Sequence, residues 1–492
     1  MVTIHTTSGK RGALTVDSPQ QEQDLITGQK PSDHCAVVGV ISNEQAYGYL
    51  VSSLKSLQHR GQESAGIAAF DGSMMKLKKG MGLVSDVFNE KENPISGNVG
   101  IGHTRYSTMG TKTLENAGPF VVSSASGYLA ISHNGEITNA EQLSEELKKR
   151  GATFSTSSDT EVMLMELSKE IAENGVANGM KIAMSKLKGA YSAAFMIDDR
   201  LFAIRDPMGI RPLILGKSGN TYVVASESCV MDVLGGETIR DVLPGEVVEI
   251  TPIGPKRIFI ASSRVEAHCM FEYVYFARPD SIIDNIEVFE TRIKLGRVLA
   301  DESMVEADVV IPVPDSGRAQ ALGYSQRSGI VYSEGLIKNR YSGRTFIMPS
   351  QVQRTASIKM KLNAIRSVVD GKRIVLVDDS IVRGNTMRHI VMLLRKAGAT
   401  EVHVRIGSPE IIAPCYFGVD MKTKDQFIAR GKTNQEITEE IGADSLAYIS
   451  IDGLVKSIGM PKQNLCLSCL TGEYPVSIPG EKYLYQKDLT NY

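Results

Sequence analysis

The sequence predicts two unlike domains in one chain: an α+β half of stacked, mainly antiparallel sheets flanked by helices, then an α/β half built on a parallel sheet. Three observations predict this. At 492 residues the chain is too long for one ordinary core and long enough for two large ones. From about residue 65 to 260, short β-rich runs such as "AGIAAF", "VGIGHTRYS", "YLAISHNG", "AYSAAFMID", "LFAIRD" and "TYVVASES" recur between turns, with helical stretches near 139–150 and 159–174. Beyond the Pro- and Gly-containing stretch near 252–256, apolar strands such as "ADVVIPVP", "RIVLVDD" and "EVHVRIGSP" alternate with helical segments.

Taken in order, residues 1–34 carry scattered Ser, Thr, Gln, Gly and charge without a regular apolar period, and are expected to be a flexible leader. At Cys35 the texture changes to "CAVVGVIS", a strand-type apolar run, followed by "AYGYLVSSLKSLQHRG", whose helical spacing is closed by Gly61. The expected division is 1–34, 35–262 and 263–492. No internal repeat or low-complexity tract interrupts it.

Charge narrows the function. The 54 basic and 56 acidic residues nearly cancel, so no overall field favours nucleic acid or an anionic membrane, and any phosphate chemistry must come from local groups. No apolar run approaches bilayer-spanning length and the N-terminus lacks a secretory signal's apolar core. A soluble, cytoplasmic protein acting on small molecules is expected. Six cysteines are too few for a disulfide scaffold in so long a chain, leaving buried thiols, metal ligands or nucleophiles.

Cys35 stands where the leader meets the first strand. If the leader is removed after His34, Cys35 gains a free α-amine whose reference pKa of about 7.7–8.0 suits it to take the thiol proton near neutral pH. One residue then supplies nucleophile and base. Acyl transfer from an amide also needs an oxyanion hole, and "SHNGEITN" offers the Asn134 side chain with the Gly135 N–H, although Asn-Gly alone is commonly a hairpin turn. Arg105 in "GHTRYST" and Asp159 in "SSDTE" have the charges to grip an α-amino acid's carboxylate and ammonium.

These residues resemble the N-terminal-nucleophile (class II) glutamine amidotransferases. "QHRGQESAGIA" (58–68), "GHTRYST" (102–108), "HNGEI" (133–137), "SDTE" (158–161) and "RDPMGIRPL" (205–213) follow that family's motifs in its usual order. The resemblance implies that Cys35 is the nucleophile, that Arg105 and Asp159 hold glutamine, that Asn134 and Gly135 receive the oxyanion, and that residues 1–34 are a cleaved propeptide.

In the second half, "RIVLVDDSIVRGNT" (373–386) is a β-branched strand that delivers Asp378 and Asp379 into a Gly-containing turn opening a helical stretch. Such a turn puts backbone N–H groups and a helix N-terminus around a phosphate, while adjacent acids serve ribose hydroxyls and a hydrated Mg²⁺. Two acids capping a helix start are the plain alternative for "DDS". The stretch resembles the phosphoribosylpyrophosphate motif of the type I phosphoribosyltransferases. The resemblance implies that Asp378 and Asp379 face ribose and metal, that Arg383, Gly384, Asn385 and Thr386 surround the 5-phosphate, and that Ser316 of "PVPDSG" (312–317) lies near the pyrophosphate and Mg²⁺. Lys338, Arg340 and Arg344 in "KNRYSGRTFI" are expected beside that site. "SQVQRTASIKMKLNAIR" (350–366) resembles that family's mobile closing loop, with Arg354 and Lys359 as candidate pyrophosphate contacts.

Both halves in this order, with "FEYVYFARPDS" (271–281) at the junction, resemble the amidophosphoribosyltransferases. Glutamine and phosphoribosylpyrophosphate are then the substrates, ammonia passes between the sites by a sealed path, and a homotetramer inhibited by purine nucleotides is expected. Cys466 and Cys469 form a C-x-x-C pair, which alone is ambiguous between redox, zinc and cluster chemistry, and with Cys269 and Cys415 would suit a zinc ion or a [4Fe–4S] cluster. Resemblance to the branch carrying a propeptide and a cluster together favours [4Fe–4S]. Cys229 is expected to pack as a small apolar residue. The rivals are another class II amidotransferase, such as a sugar-phosphate aminotransferase or asparagine synthetase, which does not predict the loop at 377–386, and a non-catalytic nucleotide sensor, which does not predict the glutaminase motifs.

Overall fold

The structure, a computed structural model, describes residues 35–88, 94–106, 113–263, 265–338, 362–421 and 427–478. Strand Cys35–Ile41 runs through the middle of a seven-stranded antiparallel sheet, between Val99–Arg105 and Thr221–Ala225. Its side chains alternate: Ala36, Val38 and Val40 pack outward with Leu50 and Leu54 of helix Ala46–Ser56, while Val37 and Ile41 pack inward on a second sheet. Both faces are buried, which is why the segment reads as a continuous apolar run.

The second sheet has six antiparallel strands in the order Gly254–Ile260, Glu246–Thr251, Arg200–Arg205, Gly189–Ile197, Gly127–Ile137 and Phe120–Ser124. Ala130, Ala194, Met196, Leu201 and Ala203 meet the first sheet. The opposite face, with Leu129, Ile131, Tyr191 and Phe195, is covered by helices Ala140–Lys149, Asp159–Asn174 and Val176–Lys186. The result is a four-layer sandwich of helix, sheet, sheet and helix.

Two expectations need correction. Helix Ala46–Ser56 stops before "LQHRG", and Gly61 does not close it: a β-carbon there would stand 2.7 Å from the Arg105 nitrogen, so Gly61 serves a close approach to the neighbouring strand. Helix Val176–Lys186 was not expected, because Asn178 and Gly179 weaken its helical signal. Gly179 is where it crosses Asp159–Asn174, since a β-carbon would come within 2.5 Å of the Glu170 carbonyl oxygen.

The second domain centres on a four-stranded parallel sheet in the order Val309–Pro312, Arg373–Asp378, Glu401–Ile406 and Ser445–Tyr448. Helices Val288–Ser303 and Arg318–Ser328 put Leu295, Leu299, Ala321 and Tyr324 against Val310, Val375 and Val377 on one face. Helices Asn385–Lys396 and Asn434–Ile441 put Met387, Ile390, Leu394 and Ile437 against Ile311, Ile374 and Leu376 on the other. Val309–Pro312 and residues 374–377, covered on both faces, are apolar throughout, as the parallel-sheet reading required, whereas Glu401–Ile406 also buries His403 and Arg405.

Buried charges join the halves. Arg60 pairs with Glu227 and, at 2.6 Å, with Glu272, while Glu272 also accepts from Arg211 Nη1 at 3.0 Å. Burial works to raise the Glu227 carboxyl, but Arg60 and His59 outweigh it and hold the group well below the ordinary carboxylate range. Replacing Arg60 by Ala removes the buried cation that Glu227 and Glu272 share. Arg60→Ala is expected to lower stability by about 3–5 kcal/mol, read as a lower urea midpoint of unfolding.

Candidate active sites

Cys35 begins its strand directly opposite Arg105, which in turn pairs with Ser64. Alternation along the strand places Cys35 on the side of Val37, towards the second sheet. There, strand Gly127–Ile137 carries Asn134, which is fully buried with neither its Nδ2 nor its Oδ1 hydrogen-bonded. An unsatisfied buried amide costs about 1–3 kcal/mol and calls for an explanation, which an incoming oxyanion would supply. Gly135 follows at φ 141°, where a β-carbon would meet the Ala190 carbonyl oxygen at 2.0 Å. The backbone there turns in a way only glycine permits, so Asn-Gly here lies within a strand rather than at a hairpin turn.

Two histidines brace this place, His103 between the sheets and His133 between its strand and a helix, and neither was given a role from sequence. His103, one strand from Cys35, donates through Nε2 to the His133 carbonyl oxygen at 3.0 Å, holding the peptide just before Asn134. His133 Nδ1 lies 3.1 Å from the Thr160 hydroxyl. Burial pushes His103 down to about 3 and lowers His133 against the opposing pull of Asp159, so both are neutral near pH 7. Asp159 is the first residue of its helix, capped by Ser158, and its Oδ2 accepts the Ile137 N–H at 2.9 Å. The structure therefore brings Cys35 beside Arg105 on one sheet, and Asn134, Gly135 and Asp159 to the facing strand and the helix it adjoins.

In the second domain, the loops after two adjacent parallel strands lie side by side: Pro312 is in register with Val377, and the Val313 N–H donates to the Val377 carbonyl at 2.8 Å. This puts Ser316 and the acidic pair at the carboxyl edge of the sheet, where open α/β folds bind ligands. Asp378 and Asp379 are buried, Asp378 Oδ1 accepts the Asp379 N–H at 2.9 Å, and Asp379 Oδ1 accepts the Ser380 hydroxyl at 2.7 Å. The helix begins only at Asn385, so neither acid caps it. Its N-cap is Gly384 at φ 75° with no side-chain cap, and a helix N-terminus is a favourable place for an anion. Arg292, unassigned from sequence, donates to the Tyr273 and Ala277 carbonyl oxygens; burial lowers its guanidinium to about 10 while Asp379 works to raise it. Lys338 Nζ lies 3.6 Å from Asp315 Oδ2, beside the first loop. Arg340, Arg344, Arg354 and Lys359 fall outside the described residues.

The four paired cysteines converge. Cys269 and Cys466 sit opposite each other on two short parallel strands, and the Ile412 and Ala413 N–H groups donate to the Cys469 carbonyl, bringing Cys415 alongside. Burial pushes all four thiols up; Cys415, Cys466 and Cys269 each add to the rise at Cys469. The Phe417 N–H donates to Cys415 Sγ at 3.4 Å. Among the described residues no three His, Cys, Asp or Glu side chains are placed to hold a single metal ion. Cys229 lies apart in the outer core of the first sheet, buried, its thiol pushed up to about 12 by burial and Glu227.

Comparison with known proteins agrees with both halves. A glutamine amidotransferase domain family matches residues 103–232, and a phosphoribosyl transferase domain family matches residues 291–406. The chain is 52% identical over 454 residues to the amidophosphoribosyltransferase of Archaeoglobus fulgidus, covering 91% of this chain and 99% of that one. To the Bacillus subtilis amidophosphoribosyltransferase it is 47% identical over 453 residues, covering 91% and 95%. The chain belongs to the amidophosphoribosyltransferase family. Among solved structures, the glutamine phosphoribosylpyrophosphate amidotransferase of B. subtilis complexed with ADP and GMP superposes with a TM-score of 0.85 at 46% identity, covering 91% of this chain and 98% of that one. A structure described as the allosteric regulatory enzyme of purine biosynthesis gives 0.84 at 47%, covering 91% and 97%. As an amidophosphoribosyltransferase the protein transfers glutamine nitrogen to phosphoribosylpyrophosphate, forming 5-phosphoribosylamine and pyrophosphate at the first step of purine biosynthesis. No described helix is long and apolar enough to cross a membrane.

Proposed function

We propose that the two reactions divide between the sites as follows. With residues 1–34 removed as a propeptide, the Cys35 α-amine takes the thiol proton and Sγ attacks the glutamine amide carbon. Charge moves to the amide oxygen, which accepts from Asn134 Nδ2 and the Gly135 N–H, while Arg105 and Asp159 hold the substrate's carboxylate and ammonium. The proton passes to the departing ammonia, and water then releases glutamate from the thioester. The observation that carries this reading is the buried, unpartnered Asn134 amide beside a glycine that admits no side chain. Asn134→Ala is expected to lower the kcat of glutamine hydrolysis about 10²–10³-fold with little change in ammonia-dependent turnover. Equal loss with both nitrogen donors, or no loss, would overturn it.

In the domain from 263 to 492, ammonia attacks C1 of the sugar as pyrophosphate departs. Arg383, Gly384, Asn385 and Thr386 receive the 5-phosphate; Asp378 and Asp379 face the ribose and the positive charge that develops at C1; Ser316, Lys338, Arg340 and Arg344 attend the pyrophosphate. The adjacent carboxylates and the Ser316 hydroxyl form an all-oxygen donor set that fits a largely hydrated Mg²⁺, which when bound neutralises charge on the pyrophosphate.

Cys269, Cys415, Cys466 and Cys469 suit a [4Fe–4S] cluster. A single zinc ion with bonds of about 2.3 Å needs thiolates about 3.8 Å apart, whereas a cube takes one thiolate at each of four separate iron corners. Cys269 pairs in register with Cys466, and the bonds from Ile412 and Ala413 to the Cys469 carbonyl bring the Cys415 stretch beside them, so one thiolate is available for each corner. When bound, such a cluster would cross-link three distant stretches of the second domain. Because the related B. subtilis structure was solved with ADP and GMP, purine nucleotides are the expected inhibitors. A cytoplasmic homotetramer is the assembly we assign.

A further inference from the structure

Gly418, in the second domain, lies against the oxyanion glycine of the first. A β-carbon at 418 would stand 3.0 Å from the Gly135 carbonyl carbon, 3.1 Å from its Cα and 3.2 Å from Arg211 Nη2. Gly418 has φ 102°, a conformation that allows this approach without a side chain. The loop is anchored at the residue before that contact. Arg211 Nε donates to the Phe417 carbonyl oxygen at 3.2 Å, and its Nη1 reaches Glu272 at 3.0 Å. Glu272 is in turn gripped by Arg60 at 2.6 Å. The Phe417 side chain is buried, its ring 6.2 Å from that of Tyr474.

We propose that the Phe417–Gly418 segment is a positioning element for glutamine hydrolysis: the ammonia-accepting domain sets the place of the Gly135 peptide that receives the oxyanion. This rests on the assignment of the oxyanion to Asn134 and Gly135. Hydrogen bonds to a developing oxyanion act over a few tenths of an ångström, so a small movement of the 417–418 peptide changes the barrier without touching glutamine's carboxylate or ammonium. Tying the hole to the second domain also makes ammonia release depend on that domain being in place. Arg211 is a second positioning residue, because one guanidinium holds both the Phe417 carbonyl and Glu272.

The test is Gly418→Ala in the full processed enzyme, with Arg211→Lys as a second variant. Glutaminase kcat and KM, ammonia-dependent pyrophosphate release, and inhibition by glutamate γ-semialdehyde against glutamate are measured together. The aldehyde adds the thiolate to give a tetrahedral adduct that places an oxygen in the hole; glutamate does not. Gly418→Ala is expected to lower glutaminase kcat about tenfold or more, with KM within about twofold. Semialdehyde affinity should fall in parallel with kcat, and glutamate affinity and ammonia-dependent turnover should hold. Arg211→Lys should give the same selective pattern, and the double variant should lose less than the product of the two. Unchanged glutaminase in Gly418→Ala beside a strong loss in Asn134→Ala overturns this proposal and leaves the oxyanion assignment standing. No loss in either variant removes the oxyanion assignment itself. Equal loss of both activities, or equal weakening of semialdehyde and glutamate, means the contact only supports the fold and overturns the proposal.

Discussion

Cys35→Ser is expected to remove glutamine-dependent phosphoribosylamine formation by about 10⁴-fold or more, while ammonium supplied at high concentration still drives pyrophosphate release at close to the normal rate. The substitution exchanges one atom at the start of a strand whose register against Arg105 and the Thr221–Ala225 strand is set by residues further along. Fold is therefore preserved, and the loss reports chemistry. A serine hydroxyl is far more basic than a thiol, so an amine of ordinary pKa cannot ionise it to a useful extent near neutrality. The sugar-phosphate site is built at the edge of a separate parallel sheet, from loops after Val309–Pro312 and Arg373–Asp378, and does not include Cys35. The measurement is pyrophosphate release with each nitrogen donor, together with the intact mass of the chain. Mass is needed because a chain that kept residues 1–34 would lack the catalytic amine as well as the thiol. Equal loss with both donors would contradict two separate sites.

What the sequence made legible follows from how locally each feature is encoded. Strand Arg373–Asp378, its two acids and the turn into helix Asn385–Lys396 are contiguous, so strand, loop and phosphate-binding helix end can all be read from one stretch. The Asn134 and Gly135 pair was legible as chemistry, but not as geometry: its place within a strand depends on pairing with Ser192 and Tyr191, more than fifty residues later. Strand Ser445–Tyr448 was too short to announce itself, and is a strand because Glu401–Ile406 offers it an edge. His103 was quoted within a motif but given no role, since nothing in "GHTRYST" says that its imidazole reaches the His133 carbonyl on another sheet. Arg292 was missed because it lies in helix Val288–Ser303, remote in sequence from Asp379, whose charge acts on it. The bond from Arg211 to Phe417 joins residues 206 positions apart, and no local pattern encodes it. Motifs thus reported residues that touch substrate, whereas the residues that hold them in place became visible only through tertiary contacts.

Asp378→Asn is expected to lower turnover about 10²-fold or more with glutamine and ammonium alike, because both routes converge on C1 of the same sugar. Asparagine keeps the shape of the side chain and an oxygen that can still accept the Asp379 N–H, now made at 2.9 Å to Asp378 Oδ1. Local geometry should survive, so the loss measures negative charge. That charge has two uses: it opposes the positive charge building at C1 as pyrophosphate leaves, and it attracts the divalent cation that accompanies the substrate. The check is steady-state pyrophosphate release across a Mg²⁺ series with each nitrogen donor, beside glutaminase assayed alone. A fall in both transfer reactions with preserved glutamine hydrolysis places the acids in the sugar-phosphate site. Unchanged ammonia-dependent turnover would remove them from it and return the strand–loop–helix to a purely structural part of the sheet edge.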